Sequence, residues 1–252
     1  MNPKHESEYD ALAADIEKQS HLRTVFVPSP GNWGDSLINA GTREFFSKYD
    51  IKYREIKRTN AFKLTQPADC HFIIGGGGGW CRFWHSTPEF VMSMLPKAGF
   101  ITVLPTSIAD APKQPAAQDN LRIYSRGQTD LESMDYDLRL CHDMALHCTD
   151  WNLYNETGIE TLVAMREDAE SRFAAVPKDN NDISLQGNGY EDSRPFYHRI
   201  SAYSNVRTDR LHVAIAAAQL GKVVELIASG YSKSPSVYTH SLAGIYPNVE
   251  LG

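Results

Sequence analysis

The chain is short of cysteine, has no excess of positive charge and lacks a long apolar run, and each shortage removes a class of protein. Four cysteines (Cys70, Cys81, Cys141 and Cys148) in 252 residues are too few for a disulfide scaffold, so reduced thiols in a cytoplasmic setting are expected. Lys and Arg number 25 against 31 Asp and Glu, a formal charge of -6, and no global basic field exists to hold nucleic acid. No uninterrupted apolar stretch reaches membrane-spanning length, and the mean hydropathy is -0.40. The opening MNPKHESEYDALAADIEKQSH carries acids where a secretion signal needs a basic flank and an apolar core. A cytoplasmic protein is therefore expected, with peripheral contact to the inner face of a membrane left open. What the chain does have is 42% hydrophobic residues, enough to build one large domain or two compact lobes.

Order along the chain follows from periodicity. Tyr9, Leu12, Ala13 and Ile16 recur at helical spacing and predict an amphipathic helix before a first strand, Thr24 to Val27. SPGNWGDSLINAGTREFF then reads as a tight loop opening a helix that carries Ile38, Phe45, Phe46 and Tyr49. Further strands are expected at HFII, at Phe100 to Ser107, at Leu121 to Tyr124 and at Cys141 to Leu146, with a helix through Glu89 to Leu95. TDWNLYNETG marks a boundary between an amino-terminal lobe, residues 1–150, and a carboxyl-terminal lobe, residues 151–252. Beyond it LVAM is a strand, Pro177 to Asp182 and Gly187 to Pro195 are loops, TDRLHVAIAAAQLG is a helix and Lys222 to Ala228 a strand. Short apolar runs separated by helical stretches predict an α/β fold of mostly parallel sheets, with functional residues on loops at the strands' carboxyl ends.

Five consecutive glycines, Gly75 to Gly79, follow the strand HFII and suit a loop that lets an anionic ligand approach the main chain. The run fits neither nucleotide fingerprint, since Trp80 stands where a Rossmann motif needs glycine and no Gly-Lys-Ser/Thr follows. Gly31, Asn32, Gly34 and Asp35 lie just ahead of a helix, where first-turn N–H groups favour an anion and Asp35 can also cap. In Val206-Arg207-Thr208-Asp209-Arg210-Leu211-His212, Thr208 or Asp209 can cap a helix that is apolar all round down to the stop at Gly221. Arg210 and His212 bring a fixed charge and a titratable ring to its opening turn. Residues two apart share no helical face, so both reach one site only if that turn is open. Arg126 and Arg166 each follow a strand, where a guanidinium suits carboxylate or phosphate. The Cys141-His142-Asp143…His147-Cys148 cluster matches no common zinc spacing, and no metal is expected there.

At GNWGDSLI, at the glycine run after HFII, and above all at TDRLHVAIAAAQLGKVVELIASGYSKSPSVY, the sequence resembles the polysaccharide pyruvyl transferase family, from about Thr24 to Tyr238. The resemblance implies two Rossmann-like lobes similar to B-type glycosyltransferases, phosphoenolpyruvate as donor, no cofactor or metal, and a sugar or lipid-linked oligosaccharide as acceptor. It assigns Arg210 and His212 to the family's functional arginine and histidine, with Leu211 between them. It places Arg126 after a first-lobe strand, although the residues following it depart from the family pattern. It also matches Gly31, Asn32, Gly34 and Asp35 to the amino-terminal loop, Gly76, Gly77 and Gly78 to the glycine run, and Tyr231 and Lys233 to the segment after the last strand. The chain stops soon after Tyr238, so a carboxyl-terminal helix crossing back onto the first lobe is not expected.

Pyruvyl transfer in exopolysaccharide biosynthesis is then the expected activity. His212 would act as general acid and base, while Arg210 and Arg126 hold the donor and the glycine loop and Lys233 share its charge. Two alternatives stand beside it: a nucleotide-sugar glycosyltransferase, and a catalytically silent protein of an exopolysaccharide pathway. Trp33, Trp80 and Trp84 are candidates for a platform that stacks on a sugar ring. Acceptor identity, ketal position and oligomeric state leave no mark in the sequence.

Overall fold

The computed structural model describes residues 5–109, 118–132, 138–154, 156, 158–228 and 230–252. In chain order the first half runs α1 Glu6–Glu17, β1 Arg23–Val27, α2 Trp33–Lys48, β2 Arg54–Glu55, α3 Arg58–Ala61, β3 Cys70–Ile74, β4 Gly77–Cys81, α4 Ser86–Met94, β5 Phe100–Ala109, β6 Leu121–Ser125 and β7 Leu138–Leu140. The second half runs β8 Thr161–Ala164, α5 Arg194–Ser201, β9 Asn205–Thr208, α6 Leu211–Gln219, β10 Val223–Leu226, α7 Lys233–Val237 and β11 Val249–Leu251.

Two sheets, parallel in every pairing, carry this order. The first has seven strands in the order β2-β1-β3-β5-β6-β7, with β4 pairing β5 off that path, and the second has the order β11-β10-β9-β8. The fold is thus a Rossmann-like pair of α/β lobes, and the first sheet ends and the second begins on either side of residue 150. Alternation along each strand divides the apolar residues between two cores. Val25, Val27, Phe72, Ile74, Ile101 and Val103 face Phe90, Val91 and Met94 of α4. Phe26, Ile73, Leu104 and Tyr124 face the other way, into a core that also holds α1, α2, α6 and the inner residues of β8, β9 and β10. That shared core ties the lobes together by burial of apolar surface.

Helical periodicity is met in place: Tyr9, Leu12, Ala13 and Ile16 are the buried face of α1. Helix α6 is buried from Val213 to Gln219, and Gly221 behind it takes a left-handed φ of 72°. The helix at Glu89 to Leu95 is α4, begun three residues earlier.

Three expectations are corrected. Cys141 to Leu146 is not a strand: β7 ends at Leu140, and Met144–His147 is a 3-10 turn in which Asp143 accepts the Ala145 N–H at 2.8 Å. The run is apolar because it is packed against α2, where Gly41 leaves room for the Met144 carbonyl. The glycine run is not wholly a loop, because Gly77–Cys81 pairs with β5 across a register shift. The predicted loop Gly187 to Pro195 gives way to α5 at Arg194, with Pro195 in its first turn, where a missing N–H costs nothing. Strand β9 was concealed by the polar run Arg207-Thr208-Asp209. No carboxyl-terminal helix follows Leu242 among the described residues, and no helix there is long and apolar enough to cross a membrane.

His147 sits in the shared core between the edges of the Tyr9 and Phe45 rings, with both ring nitrogens unpartnered. Burial first, then the Lys48 charge, lowers its pKa to about 4. Between pH 6.5 and 4 the unfolded chain therefore binds a proton that the native state refuses, and stability must fall as pH falls through this window. The expected slope is on the order of 1 kcal/mol per pH unit for this residue. Urea denaturation at pH 7 and pH 5 checks it: His147→Leu should narrow the difference between the two midpoints, and an unchanged difference would remove His147 from the acid response.

Candidate functional site

A cavity of about 340 Å³ opens between the carboxyl edges of the two sheets. Ser29 to Asn32 after β1, Asp35 in α2, Gly76, Gly78 and Gly79 around the start of β4, and Trp84, Ser86 and Thr87 ahead of and within α4 form one wall. Arg166, Asp168 and Glu170 after β8, Ser184 and Leu185, Arg210 to His212 between β9 and α6, and Lys233 at the start of α7 form the other. Parallel sheets present their strand ends on one edge, so two such edges facing each other make a cleft.

His212, which opens α6, lines the cavity, and behind it, outside the lining, lie Arg126 after β6 and Asp143 after β7. The Asp143 carboxylate accepts from Arg126 Nη1 at 2.5 Å and lies 3.3 Å from His212 Nε2. His212 Nε2 is also 3.2 Å from Arg126 Nη1, and Arg126 Nε donates to Ser107 Oγ at 2.8 Å. Burial works to raise the Asp143 pKa, but the Arg126 charge and then His212 hold it well below the usual carboxylate range. Asp143 thus stays ionised and fixes one side of the imidazole. The other nitrogen, Nδ1, faces the amino-terminal loop: a Cβ placed on Gly34 would come within 2.7 Å of it. Arg126 is fully buried, and its Nη2 has no partner and points toward Gly78, where a Cβ would lie 3.6 Å away.

Arg210 does not lie on α6 at all. It is the N-cap, in extended conformation, so the opening turn is indeed open and Arg210 and His212 both reach the cavity. The cap is not made by Thr208 or Asp209. Thr208 Oγ1 accepts the Arg210 N–H at 2.9 Å, and Asp209 accepts the Arg166 N–H at 2.7 Å, joining the ends of β8 and β9. The Arg210 guanidinium spends three of its five N–H groups on carboxylates: Nε on Asp182 at 3.0 Å, Nη2 also on Asp182, and Nη1 on Asp168 at 2.7 Å. This pairing departs from the expectation that Arg210 is free to clamp a donor.

Glu170 organises the remaining cations. Lys233 Nζ donates to it at 2.6 Å and Trp84 Nε1 at 3.1 Å, and Tyr231 and Arg166 also contact its carboxylate. Burial favours its neutral form, yet Lys233 and Arg166 hold its pKa well below normal. Burial lowers the Lys233 pKa, with Glu170 opposing. Tyr231 therefore reaches the site through Glu170 and is not among the residues lining the cavity, and Arg166 Nε is buried without a partner.

The amino-terminal loop is built as a capping box. Asn32 is the N-cap of α2 and accepts the Gly34 N–H at 2.8 Å, while Asp35 accepts the Asn32 N–H at 3.0 Å. Asp35 is thus the N3 partner of the box and a wall of the cavity together. Burial raises its pKa against the pull of His212, the Asn32 N–H, Arg126 and Lys233. Gly76 packs on the Pro105 carbonyl, and Gly78 makes room for Lys233 Nζ at 2.8 Å from its missing Cβ. Gly77, with φ 111°, stands behind the lining against Ile38.

Of the three tryptophans, Trp80 is fully buried and Trp33 nearly so, its Nε1 donating to Glu191 at 3.1 Å. Only Trp84, 42% exposed, offers a ring face at the cavity mouth. Sequence reading missed Asp143, Asp168, Glu170, Asp182 and Ser107 as site residues. Asp143 stood inside a cluster weighed only for zinc, and the acids of REDAE have no spacing that distinguishes them from a solvated loop.

Replacing Arg210 leaves the buried Asp182 carboxylate unpaired, which costs about 3–5 kcal/mol. Arg210→Leu should therefore lose stability by that order in chemical denaturation, and Arg210→Leu with Asp182→Leu should recover most of it. Equal stability of Arg210→Leu and the parent chain would show that the pair does not hold the wall.

No protein-family model matches the chain, and no curated protein matches it. Among solved structures it is similar to one described as a functional uncharacterized protein from Klebsiella pneumoniae subsp. pneumoniae NTUH-K2044, with a TM-score of 0.81 and 22% identity over 100% of this chain and 99% of that one. At that identity the likeness is one of fold.

Proposed function

We propose that the protein is a pyruvyl transferase that moves the pyruvyl group of phosphoenolpyruvate onto two hydroxyls of a sugar, closing a pyruvate ketal and releasing phosphate. The observation that carries this reading is His212, held at Nε2 by ionised Asp143, in a cleft that Arg166, Arg210 and Lys233 also line, with the buried Arg126 guanidinium directly behind it. The sequence resemblance at Arg210-Leu211-His212 and at Tyr231 and Lys233 supports it.

An enol phosphate reacts by gaining a proton at its methylene carbon, which leaves cationic character on the adjacent carbon. Protonated His212 supplies that proton from Nδ1, and Asp143 stabilises the imidazolium before transfer. A sugar hydroxyl then adds to the cationic carbon and its proton returns to His212. The C–O bond to phosphate breaks, and a second hydroxyl closes the ketal, its proton leaving with the phosphate. Arg166 and Arg210 line the cleft as the guanidinium groups for the carboxylate and phosphate, and Arg126 adds its charge from behind Gly78. Lys233 contributes by dividing its N–H groups between the donor and Glu170. Trp84 sits where it can stack on the acceptor ring. The acceptor, a sugar or a lipid-linked oligosaccharide, enters at this mouth, and action at the inner face of a membrane is compatible with it.

A ligand that binds only the folded chain raises its melting temperature by mass action. Phosphoenolpyruvate should do so, and the rise should shrink in Arg126→Met. His212→Ala should keep the fold and lose about 100- to 10,000-fold in turnover with an acceptor sugar. A rise with a nucleoside-diphosphate sugar and none with phosphoenolpyruvate would replace this reading with glycosyl transfer.

A further inference from the structure

Behind the cleft, three segments far apart in sequence bring two imidazoles and a carboxylate together. Glu8 on α1, His142 after β7 and His240 in the turn after α7 offer ligand atoms that all lie within 4.8 Å of one another. The His142 and His240 rings stack with centroids 4.2 Å apart and 10° between their planes. Both turn Nε2 toward the same carboxylate: His240 Nε2 is 2.9 Å from Glu8 Oε1, and His142 Nε2 is 3.3 Å from Glu8 Oε2.

The outer nitrogens are already committed. His240 Nδ1 lies 3.2 Å from both the Arg126 carbonyl oxygen and Ser241 Oγ, and its Nε2 faces Glu8. His142 Nδ1 is 2.9 Å from Ser241 Oγ. Glu8 Oε2 is shut away from water and takes no hydrogen bond. A cation between the three groups satisfies all of them, and removes the cost of a buried carboxylate oxygen without a partner.

We propose that Glu8, His142 and His240 bind a divalent transition-metal ion, with zinc the best match to two imidazole nitrogens and a carboxylate. Tetrahedral zinc sets its ligand atoms about 3.3 Å apart, so binding would turn the two stacked rings out of parallel until both Nε2 lone pairs meet the ion beside one Glu8 oxygen. Calcium and magnesium take oxygen donors and do not suit the site. Ser241 and the Arg126 carbonyl act as the outer partners that orient ligating histidines. Glu8 keeps 27% of its side chain exposed, which gives the ion an entry path and a water its fourth position. The ion would cross-link α1, the segment leading into Asp143 and the turn after α7, and so brace the backbone of both Arg126 and Asp143 from outside the cleft. A second candidate cluster, Glu44, Cys148 and Asp150, is weaker. Its Glu44 carboxylate is taken by Thr149, Asp150 accepts from Ser193, and burial pushes the Cys148 thiol up to about 12. The proposal does not depend on the pyruvyl-transfer reading.

The test uses the full chain without a histidine tag, stripped with a chelator and titrated with zinc against a chromogenic competitor, with cobalt(II) as a spectroscopic probe. One zinc per chain is expected, and the visible absorption of bound cobalt should report a tetrahedral site. Glu8→Ala and His240→Ala should each weaken zinc by more than about 100-fold, beyond the loss usual for an outer partner alone. Glu8 is partly exposed, and an unchanged circular dichroism spectrum of Glu8→Ala would separate lost ligation from lost folding. Glu44→Ala should leave binding unchanged. Zinc held no more tightly by the parent chain than by Glu8→Ala, or binding abolished by Glu44→Ala, would overturn the assignment.

Discussion

The Asp143 carboxylate holds the base of the cleft together. Its Oδ1 accepts the Ala145 N–H and starts the buried turn after β7, while its Oδ2 takes Arg126 and faces His212. Its backbone carbonyl accepts from Tyr9 of α1 at 2.7 Å. One residue therefore connects the first sheet, the helix that opens the second lobe's motif, and the amino-terminal helix. A carboxylate this deep is stable only because a guanidinium and several N–H groups surround it, and removing any one of them exposes the desolvation cost of the rest. His212 inherits its position from that requirement.

Charge balance distinguishes the cleft from a simple anion trap. Arg210 is matched by Asp182 and Asp168, Arg166 and Lys233 by Glu170, and Arg126 by Asp143. The field at the mouth is consequently modest, because each cation that lines or backs the cavity already faces a carboxylate. Arg210 ties Asp182 and Asp168 into the cavity wall that it also lines. This arrangement favours orientation over raw attraction, since the cations are locked in place before a ligand arrives.

The glycines serve the same end by a different route. In Gly34, Gly76 and Gly78 the missing Cβ is occupied by His212, by the Pro105 carbonyl and by Lys233. Close approach of functional groups, with β4 pairing onto β5 behind them, accounts for a run whose backbone entropy would otherwise oppose folding.

The sequence by itself determined the parallel α/β architecture, the buried faces of α1 and α6 and the placing of Gly31 to Asp35, Arg126, Arg210, Leu211 and His212 near strand ends. These are legible because helix and strand periods are local, and because a parallel sheet puts its loops on one edge. Only the tertiary structure decided that Asp143, Glu170 and Asp182 are the partners of those cations, that Arg210 is capped by carboxylates, that Tyr231 acts through Glu170, and that His142 meets Glu8 and His240. The physical reason is the same in each case. An ion pair or a ligand cluster is defined by distances between atoms, and distances between residues remote in sequence are set by how helices and sheets pack.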